Sequence, residues 1–410
     1  MKKQFSKMPV LYALIVAACL TIRAGEIPNP AAASSREPNL LHGSDGQLYL
    51  SWVDFGPRQT ATLRFSTWNE KGWSPARTVA SGDNWFINWA DFSSMSALAD
   101  GTLVAHWLQM SSDGTYSYDV MLSLSLDRGR NWSKPLTPHR DGTHTEHGFV
   151  SILPLDASTF GVFWLDGRSK TVNGGDMALR FTTLGRDGRL GKELVVDQRV
   201  CECCQTSAAV LADGDPFVVY RDRSHKEVRD IGSAILRNGQ VASSRTVYPD
   251  DWVIEGCPVN GPATDQHQGT VVVAWYTYQG DHSEVRVRFS ANSAKDYGEM
   301  IRIDEGQPSG RVDVVLVDRN TAIVSWLEAN ESVGEIRWRV VSRTGLKQAS
   351  RTLTQTLTAR ASGFPRIEFF EGSLFFAWTD AAKPGGVKTA RFSLGHLKGS
   401  SAEPGQNSVN

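Results

Sequence analysis

The sequence lacks any apolar run of membrane-spanning length beyond its first two dozen residues, and it lacks an amphipathic helical pattern. The rest of the chain must therefore fold in water, mainly as strands. An excess of one charge is also missing, because 43 Lys and Arg residues face 44 Asp and Glu residues. Binding of nucleic acid or of anionic lipid needs a basic excess. We therefore expect no nucleic-acid partner, but a small molecule, a glycan or a protein.

Cysteine is scarce, with five in 410 residues, and the first of them lies in an export-like segment. Lys2, Lys3 and Lys7 precede a short apolar stretch, 9–20, which predicts a signal peptide over 1–24. The stretch ends as a lipobox would, at Cys19, so either acylation there or simple cleavage near Ala24 fits. We expect an exported protein that is periplasmic or lipid-anchored to the outer membrane, with no other membrane contact.

One pattern recurs along the chain: a turn, then an apolar strand that ends in an aromatic residue. Successive aromatic ends are 55, 57, 56, 55, 51 and 52 residues apart. Such a period is typical of repeat architectures. The seven aromatic residues are Trp52, Trp107, Trp164, Tyr220, Trp275, Trp326 and Trp378.

Each repeat also offers an apolar strand before the aromatic-ended one and two strands after it, which is the content of a four-stranded antiparallel propeller blade. The sequence therefore predicts an all-β fold, a β-propeller of seven blades, as one domain over 25–395. The last repeat lacks a clear fourth strand, which residues just after the signal peptide can supply. The Gly-, Ser- and Pro-containing tail, 396–410, is predicted to be disordered.

A hairpin motif in the second repeat gives a further indication of the fold. Residues 125–132 read Ser-Leu-Asp-Arg-Gly-Arg-Asn-Trp, which matches the Asp-box pattern S-x-D-x-G-x-x-W. Degenerate copies are 66–73 and 290–297. Asp127 and Gly129 suit a tight turn, and Trp132 suits packing into the blade, so we assign this motif a structural role.

On these motifs, and on the segments HTEHGF, WLDGR, CECCQT and GCPVNGP, the chain resembles the sialidase superfamily of Asp-box (BNR-repeat) proteins, and in particular exported sialidase-like proteins of bacteria. The resemblance covers nearly the whole chain and implies a propeller. Six blades are usual in that family, so a six-bladed propeller is the alternative to the seven blades counted from the repeats. The resemblance names a fold and does not by itself establish an activity.

Loops that precede first strands and loops that follow second strands open on the same face of an antiparallel blade. Nearly all chemically interesting residues fall in these loops, which predicts a ligand site at the mouth of the central channel on that face. The opposite face contains mainly tight turns and the Asp box.

The resemblance implies the parts of a sialidase site: three arginines that hold a carboxylate, a tyrosine activated by a glutamate, and an aspartic acid. The tentative catalytic residues are Asp91, Arg221, Arg223, Glu227, Arg229, Tyr276 and Arg311. Tyr278 and Glu255 are alternatives to the tyrosine and the glutamate. Where the family opens with Arg-Ile-Pro, this chain has Arg36-Glu37-Pro38. A purely structural interpretation is also open, in which the charges of 221–230 neutralise one another.

The remaining cysteines and a pair of histidines predict a second kind of site, either a metal site or a disulfide. Three loops on consecutive blades hold Cys201, Cys203, Cys204, Cys257, His144 and His147. Soft thiolates with imidazoles suit copper(I), and three cysteines in four residues are spaced too tightly for a zinc ribbon. A disulfide from Cys203 or Cys204 to Cys257 is the alternative in an oxidising compartment.

Three functions therefore stay open. The first is a propeller that binds a glycan or a protein at its channel mouth. The second is an exo-sialidase-type glycoside hydrolase. The third is a periplasmic copper-binding protein that uses the cysteine and histidine cluster. The first two functions require no cofactor.

Overall fold

The computed structural model describes residues 25–57, 60–330, 333–382 and 385–394. The predicted signal peptide, the lipobox at Cys19 and the tail from 396 lie outside these residues. No helix in the described ranges is long and apolar enough to cross a membrane.

The chain folds into seven antiparallel sheets, the blades of a β-propeller, so the count of seven is confirmed over the alternative of six. In each blade the first strand lies at the central channel and the following strands lie outward. The strand that opens the described chain is β1 (Gly25–Ile27). Blades 1 to 4 follow with β2 (Arg36–His42), β3 (Leu48–Phe55), β4 (Ala61–Asn69), β5 (Gly72–Trp73), β6 (Arg77–Gly82), β7 (Ser94–Ala97), β8 (Leu103–Met110), β9 (Tyr118–Ser125), β10 (His147–Pro154), β11 (Thr159–Asp166), β12 (Ala178–Gly185), β13 (Leu194–Asp197), β14 (Ser207–Val210), β15 (Pro216–Arg221), β16 (Ile231–Arg237) and β17 (Gln240–Tyr248).

Blades 5 to 7 complete the ring. Their strands are β18 (Ala263–His267), β19 (Thr270–Gln279), β20 (His282–Ser290), β21 (Ile301–Arg302), β22 (Pro308–Asp318), β23 (Thr321–Asn330), β24 (Val333–Ser342), β25 (Arg351–Leu357), β26 (Arg366–Phe370), β27 (Ser373–Asp380) and β28 (Gly386–Ser393). The described helices are short: α1 (Arg168–Asn173) after β11 and a 3₁₀ turn (Arg360–Ser362) before β26.

Two blades depart from the simple four-strand pattern. In blade 1 both β5 and β6 pair with β4, and in blade 2 only β7, β8 and β9 form a continuous ladder. The fourth position of blade 2 is taken by a single bridge, in which Leu122 and Leu136 exchange two backbone hydrogen bonds of 2.7 and 2.9 Å.

The ring closes through its first strand. β1 pairs with β28 as the outer strand of blade 7, so residues from both ends of the described chain share one sheet. This confirms that residues just after the predicted signal peptide supply the missing fourth strand.

The aromatic-ended strands occupy equivalent places, which confirms the repeat assignment. Each aromatic residue lies in the second strand of its blade and is at most 7% exposed, because the neighbouring blade packs over it. Four of the seven are Trp52, Trp164, Trp275 and Trp326, which have no accessible surface.

The Asp box forms the turn after β9, on the face opposite the predicted site. Asp127 Oδ1 accepts the N–H groups of Arg130 and Asn131 at 3.0 and 2.9 Å, and the Gly129 N–H donates to Ser125 Oγ at 2.7 Å. Gly129 needs its glycine, because its φ is +78° and a Cβ there would lie 2.3 Å from the Phe65 ring. The half-buried Trp132 packs edge-on against the same ring, 6.1 Å between centroids.

Neighbouring blades are also joined at the channel by side-chain oxygens that accept a backbone N–H from the next blade, which we call interblade bonds. Four are carboxylates with bonds of 2.7 to 3.1 Å: Asp91 to Phe149, Asp265 to Leu316, Asp313 to Ile367, and Glu368 to His42. Ser207 and Gln205 bond Thr264 and Gly261 in the same way, at 3.1 and 3.0 Å. Burial raises the pKa of Asp265 to about 6 and that of Glu368 to about 8.

We predict that Trp132→Ala lowers the free energy of unfolding by less than the about 3–5 kcal/mol of a fully buried tryptophan, because Trp132 is half-buried. Trp132→Phe, which keeps an aromatic contact with Phe65, is the matched control. Urea unfolding of both variants tests this. Unchanged stability of the alanine variant would contradict a structural role for the Asp box.

We also predict that the interblade carboxyls make the fold less stable as the pH rises. A carboxyl whose pKa is raised by folding stabilises the folded state fully below its unfolded pKa, about 4, and loses that contribution as the pH rises through the folded value. Between pH 5 and 9 the melting temperature should therefore fall, and it should fall less in Glu368→Gln. If the melting temperatures of the two proteins changed equally with pH, Glu368 would not titrate in this range.

Candidate functional site

The loops before first strands and after second strands meet on one face, as predicted, and we call it the site face. Single backbone bridges join them in pairs: Val200 with Asp222, Val228 with Val253, and Glu146 with Tyr118. These bridges hold the loops of blades 2 to 5 as an extension of the sheets, so their side chains have fixed positions.

The central channel has a volume of about 680 Å³ and is lined by the first strands of all seven blades. Its walls contain carboxyl, hydroxyl and amide groups, among them Asp91, Asp265, Thr206 and Asn39. A narrower cavity of about 280 Å³ adjoins blades 1, 2 and 7 on the site face. Its lining includes Arg36, Glu37, Asn88, Trp89 and Thr379.

Two carboxyl groups and one phenol hydroxyl meet between the channel and the site face. The Tyr118 hydroxyl lies 3.2 Å from Asp91 Oδ2 and 3.0 Å from Glu146 Oε1. Phe86 stacks on the Tyr118 ring at 3.9 Å between centroids, which fixes the ring. Tyr118 is fully buried and Asp91 is nearly so, whereas Glu146 is half-buried.

The Tyr118 hydroxyl has one proton to donate, so it cannot donate to both carboxylates. The second contact is a hydrogen bond only when that carboxyl is itself protonated. Burial raises the pKa of Asp91 to about 8 and that of Glu146 to about 7, and the charge of Glu146 further raises the pKa of Asp91. The arrangement therefore holds an exchangeable proton near neutral pH.

Glu37 adds a third carboxyl to this group. Burial, together with the charge of Asp91, raises its pKa well above the usual value. Its Oε1 has no hydrogen-bond partner among the described residues. Trp89, beside it in the narrower cavity, is held by Phe364 at 5.7 Å and by the Arg311 guanidinium at 4.9 Å from its ring centroid.

Two of the four predicted clamp arginines bind backbone carbonyls. Arg221 is buried and donates to the carbonyls of Asn260, Arg229 and Tyr276 at 2.6 to 2.9 Å. Its guanidinium also lies 4.9 Å from the Trp252 ring centroid. Arg311 donates to the carbonyls of Thr358, Ala359 and Gly363, and burial lowers its pKa to about 10.

The other two clamp arginines share one carboxylate. Glu227 accepts from Arg223 at 2.9 Å and from Arg229 at 2.7 Å, and these bonds, led by the one from Arg223, lower its pKa to about 2. Arg223 also contacts Glu202 at 3.0 Å. The charges of 221–230 thus neutralise one another in large part, as the structural interpretation expects. Whether any of these arginines holds a substrate carboxylate stays a prediction.

Tyr276 contributes its backbone carbonyl to Arg221, and its ring packs edge-on against Trp252 at 5.7 Å. The tyrosine that does contact a glutamate and the predicted Asp91 is Tyr118. Tyr118 and Glu146 lie by the loops that the sequence predicts to form the site face, but the sequence alone does not pair them.

The cysteines converge as predicted. The Sγ of Cys201 lies 3.8 Å from that of Cys203 and 3.4 Å from that of Cys204, and the Cys257 thiol lies near Cys203. All four are free thiols, so the expected disulfide to Cys257 is not formed in the structure. Cys201 and Cys204 are buried, Cys203 is half-buried and Cys257 is exposed.

The structure gives the predicted histidine partners other surroundings. His144 is exposed. His147 is buried and stacks on His139 with 3.7 Å between parallel rings, and Asp119 and Asp141 each contact both rings at 3.3 to 3.7 Å. Burial alone would lower the pKa of His147, but bonds to these aspartates raise it to about 9.

The two imidazole rings are stacked and parallel, and a protonated His147 ring between carboxylates forms ion pairs with Asp119 and Asp141. We therefore interpret this cluster as an ionic link between blades 2 and 3. Its other members, Asp119, His139 and Asp141, were missed, and the alternating His139-Arg140-Asp141 was the signal available in the sequence.

No family model matches the chain. No curated protein matches it in sequence. Solved structures match by fold. An ulvan lyase from a polysaccharide lyase family (PL25) has a TM-score of 0.52 at 11% identity, with 93% of this chain and 99% of that chain covered. A GH93 α-L-arabinofuranosidase of Fusarium graminearum has a TM-score of 0.50 at 13% identity, with 92% and 99% covered. A mutant NanB sialidase from Streptococcus pneumoniae has a TM-score of 0.45 at 12% identity, with 92% and 70% covered.

The protein is thus a β-propeller with seven blades. The likeness to these structures is one of fold.

We predict that Arg221→Met destabilises the protein by about 3 kcal/mol or more, because three buried carbonyls of blades 4 and 5 lose their donors. Tyr276→Phe should cost much less, since only the backbone carbonyl of Tyr276 accepts from Arg221. Thermal unfolding of the two variants is the measurement. A stable Arg221→Met protein would mean that Arg221 is available for a ligand.

Proposed function

We propose that the propeller binds a neutral glycan in the cavity lined by Glu37 and Trp89 at the channel mouth. The observation that carries this proposal is the cavity itself, which is lined by Glu37 and Trp89. Glu37 Oε1 is buried and has no hydrogen-bond partner in the described chain, and such an acceptor costs about 1–3 kcal/mol. A sugar hydroxyl that reaches this oxygen after the carboxyl turns toward the cavity would remove that cost.

The cavity combines an apolar wall with a few polar groups, as small-molecule sites do. Trp89 supplies the wall, and its contacts with Phe364 and Arg311 keep it in place. Glu37, Asn88 and Thr379 supply hydrogen-bonding groups of both kinds. At about 280 Å³ the cavity lies just below the volumes of drug-sized sites, about 300–1,000 Å³, and suits a single sugar ring.

A neutral sugar fits the charges better than a sialic acid does. Binding of a carboxylate by a sialidase-type clamp needs three arginines, and Arg36 is the one arginine among the residues that line this cavity in the described structure. Arg221, Arg223, Arg229 and Arg311 have partners within the protein. The two carboxyls nearest the cavity, Glu37 and Asp91, would repel an anion when ionised.

The fold comparisons support a glycan in general terms. The ulvan lyase and the arabinofuranosidase, by their names, act on glycans and match this chain with TM-scores of 0.52 and 0.50. Export, which residues 1–24 predict, would bring the site into contact with extracytoplasmic glycans.

Cleavage of the glycan is a second candidate function, and the Asp91–Tyr118–Glu146 group favours it. The Tyr118 hydroxyl lies 3.2 Å from an Asp91 oxygen and 3.0 Å from a Glu146 oxygen. The two carboxyl oxygens are therefore no farther apart than the sum of these two distances. This is compatible with the separation of about 5–5.5 Å between the carboxyl groups of retaining glycosidases. Their raised pKa values, about 8 and 7, suit a group that donates and accepts a proton near neutral pH.

We predict micromolar to millimolar binding of at least one neutral oligosaccharide from a panel that includes arabinobiose, measured by calorimetry. Glu37→Ala should weaken it by up to about tenfold, because a hydrogen bond between neutral groups contributes about 0.5–1.5 kcal/mol. Asp265→Asn is the matched control: it alters another buried channel carboxyl with an interblade bond, away from Trp89. Binding of sialyllactose with no neutral sugar bound would contradict the proposal.

Release of 4-nitrophenol from neutral 4-nitrophenyl glycosides separates cleavage from binding. If the protein cleaves them, Asp91→Asn and Glu146→Gln should each lower kcat by about 100-fold or more, while Asp265→Asn should not. Sugar binding without release by the unaltered protein would leave a binding function and exclude the second candidate.

A further inference from the structure

We propose that Cys201, Cys203 and Cys204, with Cys257 at their edge, form a binding site for one copper(I) ion. The site lies on blades 4 and 5 of the site face and shares no residue with the glycan cavity. The proposal therefore stands or falls independently of the proposed function.

The sulfur positions already have the spacing of a metal site. The Sγ atoms of Cys201, Cys203 and Cys204 all lie within 4.8 Å of one another, and two of the separations are 3.8 and 3.4 Å. Sulfurs that share a metal at about 2.3 Å are about 3.8 Å apart. A disulfide, with about 2.05 Å between sulfurs, would need a much closer approach. The observed spacing fits a shared ion with little movement.

The backbone fixes this loop on both sides. The Cys201 N–H donates to the Arg221 carbonyl at 3.0 Å, and Val200 forms a bridge with Asp222. The next blade is close, because the Gly261 N–H donates to Gln205 at 3.0 Å and a Cβ at Gly261 would lie 1.9 Å from the Gln205 carbonyl oxygen. The cysteine loop and the loop that contains Cys257 are therefore held together before any ion binds.

A buried guanidinium compensates for thiolate charge. Arg229 is 3% exposed and donates through Nη2 to Glu227. Its Nε and Nη1 have no oxygen or nitrogen partner among the described residues, and the side chain lies against the Cys201 thiol. A positive charge in this position stabilises thiolates, which are the form that binds metal.

The kind of ligand atom determines which metal ion the site prefers. Three or four sulfurs without imidazole or carboxylate favour a soft ion such as copper(I). The described histidines are not part of the set, since His147 is bound by Asp119 and Asp141. Glu202, between the ligands in sequence, pairs with Lys170 and Arg223. Each thiol that binds copper(I) releases its proton, so uptake should acidify an unbuffered solution.

Anaerobic titration of the whole protein with copper(I), in competition with a copper(I) chelator, tests the site. We expect one copper per chain, with the ultraviolet absorption of copper–thiolate bonds. Cys201→Ser and Cys204→Ser should each lower the affinity at least 100-fold. Glu202→Gln, within the same four residues, should bind as the unaltered protein does. Unchanged affinity in both serine variants, or tighter binding of zinc than of copper(I), would overturn the proposal.

A second measurement covers the case in which the serine variants do not fold. Copper(I) should protect at least three thiols of the unaltered protein from alkylation, counted by mass spectrometry under native, anaerobic conditions. Equal alkylation with and without copper(I) would overturn the proposal.

Discussion

The propeller depends on side-chain oxygens of one blade that accept backbone N–H groups of the next blade at the channel. A blade buries both faces only when a neighbour covers each of them, and the innermost strands would otherwise present unpaired donors to one another. Asp91, Asp265, Asp313 and Glu368 meet this need with bonds of 2.7 to 3.1 Å. Because carboxyls in this position lose their water, burial raises their pKa values. The contacts that join the blades thus also create groups that titrate near neutral pH.

The site face divides into two regions with different chemistry. Blades 1 to 3 carry carboxyls joined through Tyr118, beside a cavity with a fixed tryptophan. Blades 4 and 5 carry the thiols. Most of the arginines between them are bound to protein carbonyls and carboxylates, which separates the two regions. The arginines predicted to form a carboxylate clamp therefore already have partners within the protein.

The fold was predictable because its signals are local and repeated. The aromatic ends of second strands follow from burial between blades, and the Asp box follows from turn chemistry, so both are visible in short stretches of sequence. The closure by β1 was predictable because one strand was missing from the last repeat. Convergence of the four cysteines was also predictable, since their loops enter adjacent blades.

The details of the site were not predictable in the same way. Asp91 bonds a backbone group 58 positions away, and Tyr118 bonds Glu146 over 28 positions, so the choice of Tyr118 over Tyr276 depends on register and rotamer. Residue types also do not show whether an arginine meets a carbonyl or a ligand. Arg221 and Arg311 bind carbonyls that are far away in sequence, those of Tyr276 and Gly363. His147 was assigned to the cysteines because its loop enters a blade next to theirs, and its stacking on His139 depends on the conformation of the loop that joins β9 to β10.

Asp91, Tyr118 and Glu146 share a proton that burial holds in place near neutral pH. Infrared difference spectroscopy between pH 5 and 9 measures it most directly, through the C=O stretch of protonated carboxyl groups. The account predicts a protonated-carboxyl band that persists at pH 7 and is reduced in both Asp91→Asn and Glu146→Gln. A spectrum at pH 7 in which neither substitution changes the protonated-carboxyl band would contradict it.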